Sequence, residues 1–420
     1  MINDHFVIWL IVVLSIACIL FRPFRLPEYV WAMLGTLLLV IFRLISLQEA
    51  SLGALKGLDV YFFLIGMMLL AELAQKEGLF DWLAAKAVTY SGESSVKLFT
   101  LVYGLGTLVT IFLSNDATAV VLTPAVSAIT KSARIKNPIP YLLICAFIAN
   151  AASFVLPISN PANLVIYGEH LPSLLEWIPR YALPSLTAII STYWLLRLLQ
   201  KKNLKQSVTI DGLSRSTLSR AGRLTGWGLL IVGVILLTVS AFGYPLGLPT
   251  FLAAIITALC VFTLSSTSPW AVLKSISWSV IPLVAGLFIF VEALTKTGAI
   301  GSLVSGLETL TAHSVIESTW MSGALVALMC NLINNLPAGL IAGTVLQTAH
   351  VAESVNNAIL IGVDLGPNLS VTGSLATILW LTALRKEGLH VSAWDFLKLG
   401  AIIMPVSLLL TLLTLSIAHP

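Results

Sequence analysis

The sequence predicts an all-α polytopic membrane protein. About ten transmembrane helices are expected in two inverted-topology repeats, each with one re-entrant hairpin and one broken helix. Three observations carry this: an apolar composition with few charges, apolar segments of spanning length, and polar and glycine positions that recur at a near-constant offset. Of the 420 residues, 58% are hydrophobic and 10% are charged. Mean hydropathy is +0.97. Soluble domains carry about 25% charged residues, so the composition is that of a chain folded in lipid. The net charge of +4 bears on orientation in the bilayer and gives no basic surface for nucleic acid.

The first apolar segment, Phe6 to Phe21, has only Asp4 and His5 as charged or titratable residues before it. With no basic leader and no small-residue cleavage site, it is expected to be an uncleaved membrane helix. Further continuous spans are expected at about 29–46, 60–75, 182–199, 226–243, 249–265, 279–295 and 396–417. Each approaches the roughly 20 residues needed to cross a hydrocarbon core. Two others, 140–168 and 356–384, are apolar but interrupted, at Pro157–Asn163 and Asp364–Gly373. Proline and glycine there remove or loosen helix hydrogen bonds, which at membrane depth requires protein or a wet cavity alongside.

Regions 97–130 and 318–348 each look like two short apolar arms around a polar tip, Ser114-Asn115-Asp116 and Asn334-Asn335-Leu336-Pro337. Arms of roughly 12–16 residues are short for a crossing, so both are expected to be re-entrant hairpins. Charge supports this. The segment 201–224 carries Lys201, Lys202, Lys205, Arg215, Arg220 and Arg223 against Asp211 alone, and such segments face the cytoplasm. With both hairpins re-entrant, Arg22, Arg25, Lys131, Arg134, Lys136, Lys274, Arg385 and Lys386 fall on that same face. Glu169, His170, His350, Glu353 and both termini fall on the other.

The chain repeats itself. Gly66 matches Gly286, Glu72 matches Glu292, Lys76 matches Lys296 and Gly78 matches Gly298, each at an offset of 220. Asn115-Asp116 falls on Asn334-Asn335 at 219, and Ser159–Asn163 lies opposite Thr372–Ala376 at about 213. The expected organisation is a first repeat over 1–200, a basic cytoplasmic linker over 201–224 and a second repeat over 225–420. Five spans per half give the copies opposite orientations, and an inverted repeat with interrupted helices is the mark of a secondary transporter whose site lies near the midplane.

An Asp at the centre of a lipid-facing helix costs about 2.5–3.5 kcal/mol on insertion scales. Polar residues at tips and breaks are therefore expected around a shared cavity. Ser114, Asn115, Thr118, Asn334 and Asn335 at the tips, with Asn160, Asn163, Asn368 and Ser374 at the breaks, are the candidate solute-binding residues. Asp116 and Asp364 are the candidates for carrying a coupling proton. Few Lys or Arg residues lie there, so no clamp for an anionic substrate is evident. Amides and hydroxyls, which both donate and accept, suit a small neutral polyhydroxylated solute. Asn and Asp at such positions also serve as helix caps. Glu72 and Glu292 are expected at span ends close to water.

Cys18, Cys145, Cys260 and Cys330 are scattered through apolar runs, and the six histidines through loops and ends, so neither a metal site nor a cofactor is expected. The chain has no HExxH, Gly-x-Ser-x-Gly or Walker motif, which argues against an enzyme and against ATP hydrolysis by this chain.

The stretches FLSNDATAVVLTP (112–124), Asn334-Asn-Leu-Pro337 and GVDLGPNLSVTGSLATILW (362–380) resemble the arsenite efflux permease family of the ion-transporter superfamily, over nearly the whole chain. The resemblance implies proton-coupled export of trivalent arsenic and antimony as neutral trihydroxides across a bacterial or archaeal-type cytoplasmic membrane. Some members associate with a cytoplasmic arsenite-stimulated ATPase, for which the 201–224 segment is the natural contact. The dicarboxylate branch of the superfamily carries Ser-Asn-Thr at its tips. Asp116 and the Asn-Asn-Leu-Pro tip depart from that pattern. A sodium–proton antiporter or organic-anion carrier of the same fold is the alternative. Trivalent arsenic favours soft thiolates, and no clustered ones are present; weak oxygen donors would favour release.

Overall fold

The interruptions read from the sequence divide a chain whose elements, among the described residues, are helices. The computed structural model describes residues 4–206, 208 and 217–418, so Arg215 and Asp211 of the basic segment, and His419, lie outside the described residues. The first half runs through α1 (Asp4–Phe21), α2 (Glu28–Ile41), the short α3 (Leu47–Leu55), α4 (Leu58–Lys76) and α5 (Leu79–Ser91). Next, α6 (Ser95–Leu113) stops at Ser114. The chain returns through α7 (Asn115–Ala117), a π-helical stretch (Thr118–Leu122) and α8 (Thr123–Ser132). A second break, containing a 3-10 turn at Pro157–Ser159, separates α9 (Ile139–Ala151) from α10 (Pro161–Tyr167), and α11 (Leu174–Leu199) closes the half.

The same order then recurs. It comprises α12 (Arg220–Ala241), α13 (Gly247–Phe262), the short α14 (Pro269–Ser275), α15 (Val280–Lys296) and α16 (Ala299–His313). There follow α17 (Val315–Ile333), stopping at Asn334, and α18 (Asn335–Leu346). Last come α19 (Glu353–Leu365), a 3-10 turn at Gly366–Leu369, α20 (Leu375–Lys386) and α21 (Ala393–Ala418). Among the described residues, eight helices are long and apolar enough to cross a membrane. Leu230, Val234, Ile256, Leu259, Leu325 and Leu332 stand exposed on outer faces, as side chains bathed in lipid would.

Two lengths differ from expectation. The outgoing hairpin arms, α6 and α17, have 19 residues each and are among those eight helices, so they are not short arms. At 1.5 Å per residue each spans roughly 28 Å. The short element is the returning one: α18 has 12 residues, and the first return is interrupted by its π-helical stretch. The helices α3, α5, α14 and α16 had no counterpart in the expected spans.

The breaks are built alike in both halves. Ser94 caps α6 by accepting from Lys97 N at 3.2 Å, and Ser314 caps α17 by accepting from Glu317 N at 3.2 Å. At the far ends, Ser114 (φ 87°, ψ 161°) and Asn334 (φ 74°, ψ 153°) hold a backbone conformation that L-residues rarely adopt, at a cost of about 1–3 kcal/mol each. The Ser159 hydroxyl donates to Ile111 O at 2.9 Å on α6. The Thr372 hydroxyl donates to Asn331 O at 3.1 Å on α17. A hydroxyl in each break thus ties it to the outgoing arm of its own half.

Between halves, the packing is crosswise. α13 lies on α4 and α2 on α15; α18 lies on α10, and α20 covers α7, the π-helical stretch and α8. Two matched glycines explain part of it. A Cβ on Gly66 would stand 2.8 Å from Thr250 O of α13, and one on Gly286 would stand 2.9 Å from Ala32 Cβ of α2. Small residues let backbones approach where lipid offers no hydrophobic drive. At one end of the bundle, Lys131 bridges Glu387 at 2.6 Å. There Asn137 N donates to Gln206 Oε1 at 3.0 Å, joining three of the basic segments.

Candidate functional site

Each broken helix reaches across to the other half. At the last turn of α19, Asp364 is fully buried, and its Oδ1 accepts from Asn160 Nδ2 at 2.6 Å. Asn160 caps α10, its Oδ1 accepting from Ala162 N at 3.0 Å, so one amide both starts a helix and holds a carboxylate. Asp364 Oδ2 has no partner among the described residues. At the last turn of α9, the equivalent place, Asn150 donates to Asn368 Oδ1 at 3.0 Å and to Thr377 Oγ1 at 3.3 Å. Asn368 in turn donates to Phe147 O at 3.0 Å. Ser374 caps α20, accepting from Thr377 N at 3.1 Å.

Asn163 is fully buried and donates to Ser153 O at 2.9 Å, so it organises its own break. The second tip docks on the second break: Asn335 N donates to Gly373 O at 2.8 Å, and Asn334 Nδ2 to Thr372 O at 3.2 Å. Asn331, one turn earlier on α17, donates to Gly366 O at 3.0 Å and accepts from Ser370 Oγ at 2.7 Å.

The first tip faces space. Asn115 Oδ1 accepts from Asp116 N at 2.9 Å, and the Thr118 hydroxyl pairs with that of Thr110 at 2.8 Å. These bonds leave the Asp116 carboxylate and the Ser114 hydroxyl on the wall of an internal pocket of about 50 Å³, room for a few waters. Met67, Met68, Ala71 and Glu72 of α4 form another wall; Pro161 of α10, Leu375 and Leu379 of α20, and Ser277 beside α15 complete it. First tip, first break and second broken helix therefore meet there.

Of the eleven candidate residues, Ser114 and Asp116 line this pocket. Asn160, Asp364, Asn368 and Ser374 form the contacts between or within breaks. Asn115, Thr118, Asn163, Asn334 and Asn335 are buried supports. Cys330 is fully buried with its sulfur 3.7 Å from Val363 O, away from the pocket. Glu72 is only 9% exposed and lines the pocket, not the water boundary expected of it. Sequence reasoning missed Asn150, Asn331 and Thr377. Asn150 had a signal: it precedes Asp364 by 214 positions, close to the offset of the breaks.

Residues 10–363 match the family model described as citrate transporter, CitMHS. The chain belongs to this family. As a CitMHS-family membrane transporter it is similar to an arsenical pump membrane protein of Escherichia coli, 26% identical over 97% of each chain. It is also similar to one of Yersinia enterocolitica, 25% identical over 84% of this chain and 85% of that one. A solved structure of the YdaH transporter of Alcanivorax borkumensis, described as having an unusual topology, matches with a TM-score of 0.57 at 15% identity. It covers 87% of this chain and 86% of that chain, and the likeness is one of fold.

Proposed function

We propose that this CitMHS-family chain is a secondary active transporter that exports trivalent arsenic and antimony as neutral hydroxides in exchange for protons. One observation carries the reading: among the described residues, the pocket wall holds Asp116, Glu72, Ser114 and Ser277 and no Lys or Arg. A neutral trihydroxide brings three O–H donors, and carboxylate and hydroxyl oxygens accept them. The similarity to arsenical pump membrane proteins along 97% of the chain supports the same cargo. In this reading the two halves are inverted repeats that alternate access to the pocket. The end bearing Lys131, Lys201 and Arg385 faces the cytoplasm and both termini face outward. Asp116 exchanges protons, while Asp364, Asn115, Asn160 and Asn335 hold the pocket's frame. A cytoplasmic arsenite-stimulated ATPase, where one exists, would meet the basic segment 201–224.

An organic-anion carrier is the second reading, favoured by the family description. The acidic wall opposes it, because a polyanion would need cationic or bidentate donors there. Arsenite uptake into everted vesicles under an imposed pH gradient, without ATP, tests the proposal. Wild type accumulates arsenite, and Asp116→Asn inserts normally but does not. Sodium-dependent pH changes without arsenite would move the assignment to sodium–proton exchange.

A further inference from the structure

Glu72 and Glu292 occupy the same place in the two halves but have different surroundings. Glu292 is at the surface, and its Oε2 meets Lys56 Nζ at 2.6 Å. That lysine follows α3, which packs on α15. Its counterpart α14 packs on α4, but Lys274 there lies over the Trp270 ring, 5.5 Å from its centroid. Ser277, just beyond α14, lines the pocket instead. Glu72 is consequently left nine-tenths buried on the pocket wall with no hydrogen-bond or ion-pair partner among the described residues. Lys76, one turn along α4, is the charged group that acts on it, and the elements packed around α4 add none. None acts on Asp116 from α6, α9 or α20. Among the described residues, Asp116 and Glu72 are the titratable groups that line the pocket.

We propose that Glu72 is a second proton-carrying carboxyl of this pocket, so that two protons, one on Glu72 and one on Asp116, are exchanged for each neutral solute exported. The inference rests on the export reading above. Facing the outside, one oxygen of each carboxylate takes a proton from hydronium, forming an O–H bond and leaving water. Facing the cytoplasm, each O–H bond breaks and the proton returns to water. The solute then donates its own hydroxyl hydrogens to the freed oxygens. Proton and solute thus compete for the same lone pairs, and that competition makes the exchange obligatory. A lone carboxyl would couple one proton; the paired arrangement doubles the driving force without adding a charge to the cargo.

The test uses the full chain in liposomes with the membrane potential clamped at zero, reading steady arsenite accumulation per unit of imposed pH gradient. Each coupled proton contributes about tenfold per pH unit. Wild type and E292Q are expected to reach about a hundredfold, and E72Q about tenfold. Equal accumulation by E72Q and wild type overturns the proposal. Should E72Q transport nothing, E72D decides: full accumulation supports a protonatable group at this position, and its absence overturns it. Infrared difference spectra of the purified protein across a pH step need no arsenite and expect one protonated-carboxyl band fewer in E72Q than in wild type. An unchanged spectrum overturns the proposal. Wild type that moves no arsenite but shows the Glu72 band refutes the export reading and leaves Glu72 a proton carrier for other cargo.

Discussion

Asn160 on α10 donates to Asp364 on α19 at 2.6 Å, joining the two halves through a buried carboxylate that has no cationic partner among the described residues. A buried acceptor left without its donor costs about 1–3 kcal/mol, more when charged. Asn160→Ala is expected to lower the melting temperature in detergent and to abolish transport. Asp364→Asn keeps an acceptor at Oδ1 and is expected to melt close to wild type and to retain transport. Thermal melts paired with vesicle uptake separate the two effects; equal destabilisation would refute this division of roles.

The tips make a contrasting pair. Both hold positive φ, which glycine tolerates at little cost. Ser114→Gly should therefore raise stability by about 1 kcal/mol. Asn334→Gly gains the same relief but loses its bonds to Thr372 O and from Leu336 N. At about 0.5–1.5 kcal/mol each, the losses should outweigh the gain. Opposite shifts in melting temperature are the expected result.

Gly400 of α21 lies against the second break. A Cβ there would meet Leu369 O and stand 2.5 Å from Asn368 O, both backbone atoms that cannot swing aside. Gly400→Ala is expected to displace Asn368 from Asn150, cost about 1–3 kcal/mol and abolish uptake. Wild-type melting and uptake in this variant would refute close packing at the break.

Outside the membrane-spanning segments, the Lys131 ammonium hydrogen-bonds Glu387 and holds its carboxyl below the usual carboxylate range. A depressed folded-state value contributes stability above the unfolded value of about 4.3, and that contribution is lost as pH falls through the folded one. Lys131→Ala should therefore cost up to about 1 kcal/mol at neutral pH. In strong acid the difference from wild type should vanish. Chemical denaturation at pH 7 and below pH 4 checks the sign.

Six of the eight continuous spans, the two tips and the two breaks were legible because lipid makes polar and helix-breaking residues conspicuous, whereas α2 and α13 are shorter than the spans expected at 29–46 and 249–265. The 220 offset between Gly66 and Gly286 was legible too, and its physical meaning, close approach to α13 and α2, emerged only with the packing. Asn331 and Thr377 were not legible, since each is a polar residue flanked by apolar neighbours in its helix and its role depends on which element faces it. Glu72 was misplaced for the same reason. Its place near the end of a span suggested water, whereas Lys274 of α14 lies over the Trp270 ring and leaves it unpaired. The outgoing arms were judged too short because their starts were read at 97 and 318, whereas the helices begin at Ser95 and Val315.

The crosswise packing of α18 on α10 and of α20 over the first return has a consequence for ancestry. A chain of half this length would leave its broken helix and its returning arm without cover. On the inverted-repeat reading proposed above, it could have worked only as a pair of copies threaded through the bilayer in opposing directions, each completing its twin. Fusion of such a pair would free each copy to specialise, and a glutamate retained in the pocket of one half while its counterpart is neutralised in the other is the kind of divergence that joining permits.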